Sequence, residues 1–405
     1  MASRFPDQTN VTTASNRDFW FRCPDAKQCG GCQLTTMPYK AQLRHKQAYM
    51  DSLFSDICAV QPIIGMENPF HYRNKVHAVF GTDKSGNPIA GIYQQGTHHL
   101  VPVRHCLLEN ELAGKIIQHI TSLFKTFRWR IYNEYTHRGL IRHAVVRVSE
   151  STRQIMVTLV TTTFELPHLE QFVEAVLEVF PQITTIVLNQ NTRVTSAVLG
   201  TKEKVLYGPG YIEDILLGKR FRISSRSFYQ VNSRQTQVLY KTAIDSCNFQ
   251  GTEVLLDAYC GTGTIGLCAA DSVRRLIGIE INKDAVLDAR LNAKTNGIDH
   301  ASFLTGDAGT LLQNLVREHI LPDTVIMDPP RSGSSSPFLQ TLLQVLPPHI
   351  LYISCNPETL LRDLQVLIPK YTVQSIVPVD MFPGTQHVET VCCLYHQKKD
   401  FIYVS

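Results

Sequence analysis

The sequence predicts an α/β protein: a doubly wound parallel sheet in the C-terminal part, with an α+β region on an antiparallel sheet before it. Three observations predict this. From about Ser224 apolar strand-like runs alternate with helical stretches, the pattern of crossover units in a parallel sheet. Between about 67 and 223, short β-branched runs alternate with turn residues instead. The chain has 405 residues, 43% hydrophobic and 18% charged, enough for two or three cored domains.

Taken in order, residues 1–20 are rich in Ser, Thr and Asn and read as a disordered tail. Residues 21–34 hold Cys23, Cys29, Gly30, Gly31 and Cys32. Residues 35–66 contain a helix from about Pro38 to Phe54, expected to pack on the C-terminal domain with Lys40, Arg44, His45 and Lys46 on its polar side. Region 67–223 has strands at Lys75–Phe80, Ile89–Tyr93, Ala144–Val148, Gln154–Val160 and Ile183–Asn189. Asp83 to Asn87 is a turn, and Leu166 to Phe180 has helical spacing. Region 224–405 has strands at Glu253–Asp257, Arg275–Glu280, Ala301–Leu304, Thr324–Asp328, His349–Ser354 and Val373–Val379.

A net charge of +4 excludes a global polycation, so any nucleic-acid surface must be a local patch. No apolar run approaches the length of a membrane span, and Met1 to Asn16 lacks a signal core. A cytoplasmic, soluble monomer is expected. Eleven cysteines in that compartment call for a metal, a cluster or chemistry rather than disulfides.

Asp257 to Gly266 forms a glycine-rich turn after the first strand of the parallel sheet, and Glu280 ends the next strand. An acid before the glycines and a second acid placed for ribose hydroxyls suit S-adenosylmethionine better than a dinucleotide. Gly306-Asp307-Ala308 would sit near the adenine. Asp328-Pro329-Pro330-Arg331 ends the fourth strand, where the methyl group would react. Amino-group methylases carry an aromatic residue in the place of Arg331, so that chemistry is disfavoured. Ile353-Ser354-Cys355-Asn356-Pro357 ends a buried strand in a thiol, and His387-Val388-Glu389-Thr390 adds an acid downstream. A thiol and a base are the minimum for methylating carbon 5 of uracil, a poor nucleophile until a thiolate adds to carbon 6. Cys355 supplies the thiol and Glu389 the base, with Asp328 and Gln230 orienting cofactor and base edges. Cys260, Cys392 and Cys393 lie in apolar company and read as core thiols.

These motifs, with Phe228-Tyr229-Gln230-Val231-Asn232, Tyr259-Cys260-Gly261-Thr262-Gly263 and Asp380-Met381-Phe382-Pro383, occur in one order from about Cys23 to Val391. The chain thereby resembles the RNA 5-methyluridine methyltransferases, which act on 23S ribosomal RNA or on the tRNA T-loop. The resemblance implies a Rossmann-like S-adenosylmethionine-dependent catalytic domain with an inserted α+β central domain and an N-terminal iron–sulfur motif. It implies Cys355 as nucleophile, Glu389 as proton-abstracting base, and Gln230, Tyr259, Glu280 and Asp328 as cofactor contacts. Ala258 stands where the family usually has a larger aliphatic.

Cys23, Cys29 and Cys32 can wrap one metal centre with Cys106 as the fourth ligand, and spacing alone leaves zinc and iron–sulfur open. His98, His99 and His105 could complete a zinc site. Resemblance to the ribosomal members implies a 4Fe–4S cluster on these cysteines, structural or shaping the RNA surface, and hence 23S ribosomal RNA as the substrate. The alternatives are the tRNA T-loop uridine and a catalytically retired RNA-binding or assembly factor. A target uridine must be extruded to reach Cys355. Arg128, Arg130, His137, Arg138, Arg142 and Arg147 are candidate phosphate contacts, and Trp129, Tyr132 and Tyr135 candidate stacking platforms. Relatives often carry an N-terminal RNA-binding β-barrel; too few residues precede Cys23, so none is expected.

Overall fold

In the computed structural model, two seven-stranded sheets and a two-stranded hairpin carry the chain. The structure describes residues 18–397 except 95, 98 and 196. The expected tail falls almost wholly outside the described residues, as does His98.

Helix α1 (Ala26–Cys29) ends at Gly30, whose φ of 68° suits glycine. Helix α2 (Tyr39–Phe54) uses two faces. Met50 and Phe54 join the core of the C-terminal sheet, while Tyr39, Gln42 and Lys46 are buried against residues 380–387. Lys46, expected on the polar side, is 1% exposed. Its burial is tolerated because Asp380 Oδ1 (2.6 Å), Phe382 O (3.2 Å) and His387 O (2.9 Å) all accept from Nζ.

The first sheet contains β1 (Lys75–Thr82), β2 (Pro88–Tyr93), β3 (Leu100–Pro102), β4 (Ile141–Val148), β5 (Ile155–Thr161), β6 (Thr185–Gln190) and β7 (Lys202–Tyr207), in the order β3-β2-β1-β4-β5-β6-β7. The antiparallel expectation needs correcting at one pair. β5 and β6 are parallel, because the connection between them is a helix rather than a hairpin. Helices α3 (Glu111–Thr126) and α4 (Leu169–Val179) cover one face, packing Ile116, Ile120, Phe124 and Phe172 on Val76, Ala78 and Phe80. On the other face, Met156 and Val187 meet the hairpin β8 (Tyr211–Leu216) and β9 (Lys219–Ser224) in the core of the C-terminal sheet.

Three expected RNA contacts are buried and are corrected here. Arg147 is 2% exposed and donates to the carbonyls of Tyr229 and Ser227. Arg142 is 3% exposed and donates to the carbonyls of Asn191 and Arg193 and to Glu134. Trp129 packs among Phe124, Phe127 and Phe172 and donates Nε1 to Pro167 O at 2.8 Å. Sequence spacing along a strand does not say which cations fold inward to cap carbonyls. Arg128, Arg130, Tyr135, His137 and Arg138 are exposed.

After α5 (Ser233–Cys247), the second sheet is built from β10 (Val254–Asp257), α6 (Thr264–Ala269), β11 (Arg275–Glu280), α7 (Lys283–Thr295), β12 (Ala301–Thr305), α8 (Ala308–Arg317), β13 (Thr324–Met327), α9 (Ser336–Val345), β14 (His349–Ser354), α10 (Pro357–Leu367), β15 (Tyr371–Val379) and β16 (Glu389–His396). Its order is β12-β11-β10-β13-β14-β16-β15. The strands from β12 to β14 are parallel as expected. One strand corrects the all-parallel expectation, while β15 keeps the common direction. β16 runs antiparallel to both neighbours. The chain leaves β15 through a turn, not a helix, and comes straight back. Val391, Cys392, Cys393 and Leu394 are buried, so β16 is a core strand and both cysteines are core thiols.

Candidate active site

The strand order reverses between β10 and β13, and ligands gather at the carboxyl ends of strands beside such a point. Cys355 directly follows β14 there. Asn356 then caps α10, accepting from Glu358 N at 3.1 Å, with Pro357 at the first helical position. Asn356 Nδ2 and Thr359 Oγ1 both donate to Arg331 O, tying the Asp328–Arg331 loop to the thiol-bearing turn.

The reversed strand β16 does what sequence spacing could not. Its register pairs Ser354 with Thr390. The next pair outward in an antiparallel ladder is Cys355 with Glu389. Directly opposed residues share a face of the sheet, their Cβ atoms about 5 Å apart. The electrostatics agree with that proximity. Burial pushes the Cys355 thiol up to about 11, with Glu389 and Asp328 adding and Arg331 opposing. Burial pushes Glu389 up to about 8, with Asp328 adding and Arg331 opposing. Burial also lifts Asp328 to about 7. Three groups that repel as anions thus share one place, and a cation placed among them would lower all three.

A cavity of about 380 Å³ opens over Cys355, lined also by Arg331, Glu358, His387, His45 and Tyr49. His45 and Tyr49 come from α2, and sequence analysis assigned neither a place at the site. Tyr49 Oη donates to Glu358 Oε1 at 3.4 Å. Lys46 of the same helix also lines the cavity, and its ion pair with Asp380 spans 334 positions of sequence. The Asp380 motif was legible, but its partner was not.

A second cavity, of about 420 Å³, lies at the glycine-rich turn and is lined by Gly261, Thr262, Glu280, Asn282 and Phe228 among others. Glu280 accepts from Gly261 N at 3.1 Å and from Asn282 N at 2.8 Å, which aims its carboxylate at the loop. Asp257 lies deeper, accepting from Gly266 N at 3.0 Å, and burial raises it to about 7. A Cβ at Gly266 would come within 2.9 Å of Asp257 Oδ2, so the helix can approach that acid only as glycine. Phe228 is 73% exposed here, and nothing in its motif had marked it. The other proposed cofactor contacts lie elsewhere around the sheet's end. Tyr259 Oη bonds Ser334 Oγ at 2.9 Å, and its ring meets Phe338 edge-on. Gln230 joins the two sheets, its carbonyl accepting from Asn74 Nδ2 at 3.0 Å. Asn232, two residues on, caps α5.

Cys23, Cys29, Cys32 and Cys106 line one further cavity together with Phe21, Leu107 and Leu108. None is in a disulfide. Burial raises the Cys32 thiol to about 12, with Cys106, Cys29 and Cys23 all adding, so the four sulfurs are within electrostatic reach. A Cβ at Gly31 would lie 3.2 Å from Cys29 Sγ, so the glycine pair leaves room for that sulfur. Among the described residues, no group of three or more His, Cys, Asp or Glu is placed to hold a single metal ion. Four free thiols on one cavity are a donor set of the type that thiolate-ligated metal centres use.

Comparison with known proteins supplies the family. The model of the tRNA (uracil-5-)-methyltransferase family matches residues 38–398. A protein of Halalkalibacterium halodurans described as an uncharacterized RNA methyltransferase is 41% identical over 92% of this chain and 82% of its own length. One of Clostridium tetani, described in the same words, is 38% identical over 96% of this chain and 86% of its own. The crystal structure of Pyrococcus abyssi tRNA (uracil-54, C5)-methyltransferase with S-adenosyl-L-homocysteine superposes with a TM-score of 0.77 at 26% identity, covering 90% of this chain and 85% of that one. With its site at the carboxyl ends of a methyltransferase sheet, the chain belongs to the tRNA (uracil-5-)-methyltransferase family.

Proposed function

We infer that the protein methylates carbon 5 of one uridine in 23S ribosomal RNA through a covalent adduct on Cys355. The observation that supports this reading is the β14–β16 register, whose last pair, Ser354 with Thr390, brings the adjoining Cys355 and Glu389 to one end of the sheet, where Cys355 lines a cavity and Glu389 is buried beside it. In this reading the Cys355 thiol gives up its proton to solvent, the thiolate bonds carbon 6, and the electron pair of the 5,6 double bond moves to make a uracil enolate. Carbon 5 attacks the methyl group that bound S-adenosylmethionine would supply, and the sulfur–methyl bond breaks with its electron pair leaving on the thioether S-adenosylhomocysteine. Glu389 takes the proton from carbon 5, and the electron pair reforms the 5,6 double bond as the Cys355 thiolate leaves. Arg331 holds negative charge beside the thiol. Gln230, Tyr259, Glu280 and Asp328 hold the cofactor. Residues 224–405 act as the catalytic domain and 67–223 as the RNA-binding domain.

Cys23, Cys29, Cys32 and Cys106 would hold a 4Fe–4S cluster. No redox step enters the reaction, so the group would be structural or would shape the RNA-binding surface. The segment that follows its cysteines meets the turn that leads to Glu389: Leu34 N donates to Gly384 O, and Gln42 Oε1 accepts from Gly384 N. No described helix is long and apolar enough to cross a membrane.

A second reading has a specific observation behind it. The solved relative acts on uracil 54 of tRNA, which makes the tRNA T-loop uridine the competing substrate. The test is to incubate unmodified 23S ribosomal RNA and unmodified tRNA transcripts with labelled S-adenosylmethionine and map the label by digestion and mass spectrometry. Label on carbon 5 of one 23S uridine is expected. Label only in tRNA would keep the chemistry and overturn the substrate.

A further inference from the structure

The first sheet has one face covered by helices and one face that is only half covered. On the second face Met156 and Val187 are sealed by the core of the C-terminal sheet. Further along, His77 and Val79 of β1, Tyr93 of β2 and His143 of β4 line an uncovered cavity of about 470 Å³, a volume that fits a small planar ligand. The loop at Val194, Thr195 and Val198 closes one side, and Glu134 with Arg142 forms another.

The wall of this cavity is largely apolar, and its few polar groups carry no net charge. Arg142 is neutralised by Glu134 at 3.0 Å, and its guanidinium lies 4.5 Å over the Tyr132 ring. His77 Nε2 and His143 Nδ1 are 3.3 Å apart and share one proton-mediated bond. Burial keeps both rings well below the ordinary histidine range. In a neutral pair one ring donates and the other accepts. Whichever tautomer is present, the second nitrogens are then one donor and one acceptor. Such a set suits the hydrogen-bonding edge of a neutral heteroaromatic ring between aliphatic and aromatic walls. It offers a phosphate or carboxylate nothing. Cations for a phosphate backbone stand outside: Arg138 and Arg193 are exposed on the two loops that flank the cavity. Those loops also expose Tyr135 (79%) and Val194 (63%).

The cavity lies on the same strand as the junction to the C-terminal sheet. His77 lies two residues along β1 from Lys75, about 7 Å. Asn74, next before it, bonds the Gln230 carbonyl and Ser233 Oγ. We propose that this cavity binds an unpaired nucleobase of the substrate RNA, one near the target uridine and extruded together with it. The inference rests on the RNA substrate of the reading above. It adds a second base pocket, through which the first sheet reads sequence or shape.

The test uses the full chain and a transcript on which the methylated uridine has been mapped. Each flanking nucleotide in turn is replaced by an abasic residue, and both Kd and kcat/KM are measured. Thr195→Trp fills the cavity from an exposed loop, and Thr195→Ala leaves it open. One abasic position other than the target is expected to weaken binding by wild type about tenfold, the usual worth of a stacked base. Thr195→Trp is expected to lose about tenfold with intact RNA and nothing more with that abasic RNA, while Thr195→Ala matches wild type. Losses that multiply in Thr195→Trp, or no sensitive flanking position, would overturn the proposal. If Thr195→Trp does not melt like wild type, Val194→Trp takes its place. The coupling is read in Kd, so it stands or falls even if the chemistry at Cys355 proves different.

Discussion

Replacing Glu389 by Gln should make the protein more stable as well as stalling it, and the size of the gain depends on pH. Glu389 is 4% exposed, and burial with Asp328 nearby raises its carboxyl from 4.5 to about 8. Below pH 4.5 folded and unfolded chains both hold the proton, so the wild type suffers no loss. Between 4.5 and about 8 the unfolded chain releases it while the folded chain keeps it. Stability therefore falls as pH rises, by about 1.4 kcal/mol per pH unit, or roughly 4 kcal/mol by pH 8. Glutamine has the same shape and no proton to lose. Asp257 titrates in the same range, is common to both proteins and cancels in the difference; Asp328 is coupled to Glu389, and the loss of that repulsion in the variant acts in the same direction. The assay is urea unfolding of wild type and Glu389→Gln at pH 5, 6, 7 and 8. The two midpoints should lie close at pH 5 and diverge steadily in favour of the variant. Parallel midpoints across the range would refute the reasoning, because Glu389 would then ionise like a surface acid. The kinetic arm is independent. Glutamine cannot take the carbon 5 proton, so a covalent RNA adduct should survive denaturation on a gel; normal turnover would remove Glu389 from the role of base.

Cys355→Ala should abolish methyl transfer, at least a thousandfold in rate, while leaving S-adenosylmethionine affinity within about twofold of wild type by calorimetry; measurable product would exclude Cys355 as nucleophile. For wild type, kcat/KM should rise with pH through about 8 as Glu389 ionises, and a flat profile from pH 6 to 9 would contradict its assignment as base. Lys46→Met leaves the Asp380 carboxylate buried without its cation, a loss of about 3–5 kcal/mol in chemical denaturation. Restoring stability with Asp380→Asn in the same chain would show that the ion pair, not the helix, is responsible. Cys29→Ser or Cys32→Ser should bleach the brown colour of anaerobically purified protein, and iron retained at wild-type stoichiometry would exclude that residue as a ligand.

Much of the fold was legible because it rests on local pattern. The runs Arg275–Glu280 and His349–Ser354 are strands with the expected ends, since buried parallel strands read as unbroken apolar stretches between helices. Helix α3 escaped notice although Ile116, Ile117, Ile120 and Phe124 carry helical spacing. The strand β16 escaped for a better reason. Its Val391-Cys392-Cys393-Leu394 run has no helix before it, so nothing local says that it returns between β14 and β15.

By itself the sequence determined the alternating C-terminal architecture, the glycine turn with its two acids, the thiol at a strand end, and the four cysteines that come to share a cavity. These depend on residue type and short spacing, which the chain carries wherever it goes. Tertiary structure alone decided the rest. It placed Glu389 beside Cys355 through a reversed strand, buried Lys46 against Asp380, turned Arg142 and Arg147 inward, and left His77 and His143 on an open sheet face. The physical reason is common to all four. Strand order, register and burial are set by which surfaces the whole chain can bury together, and no window of sequence contains that sum.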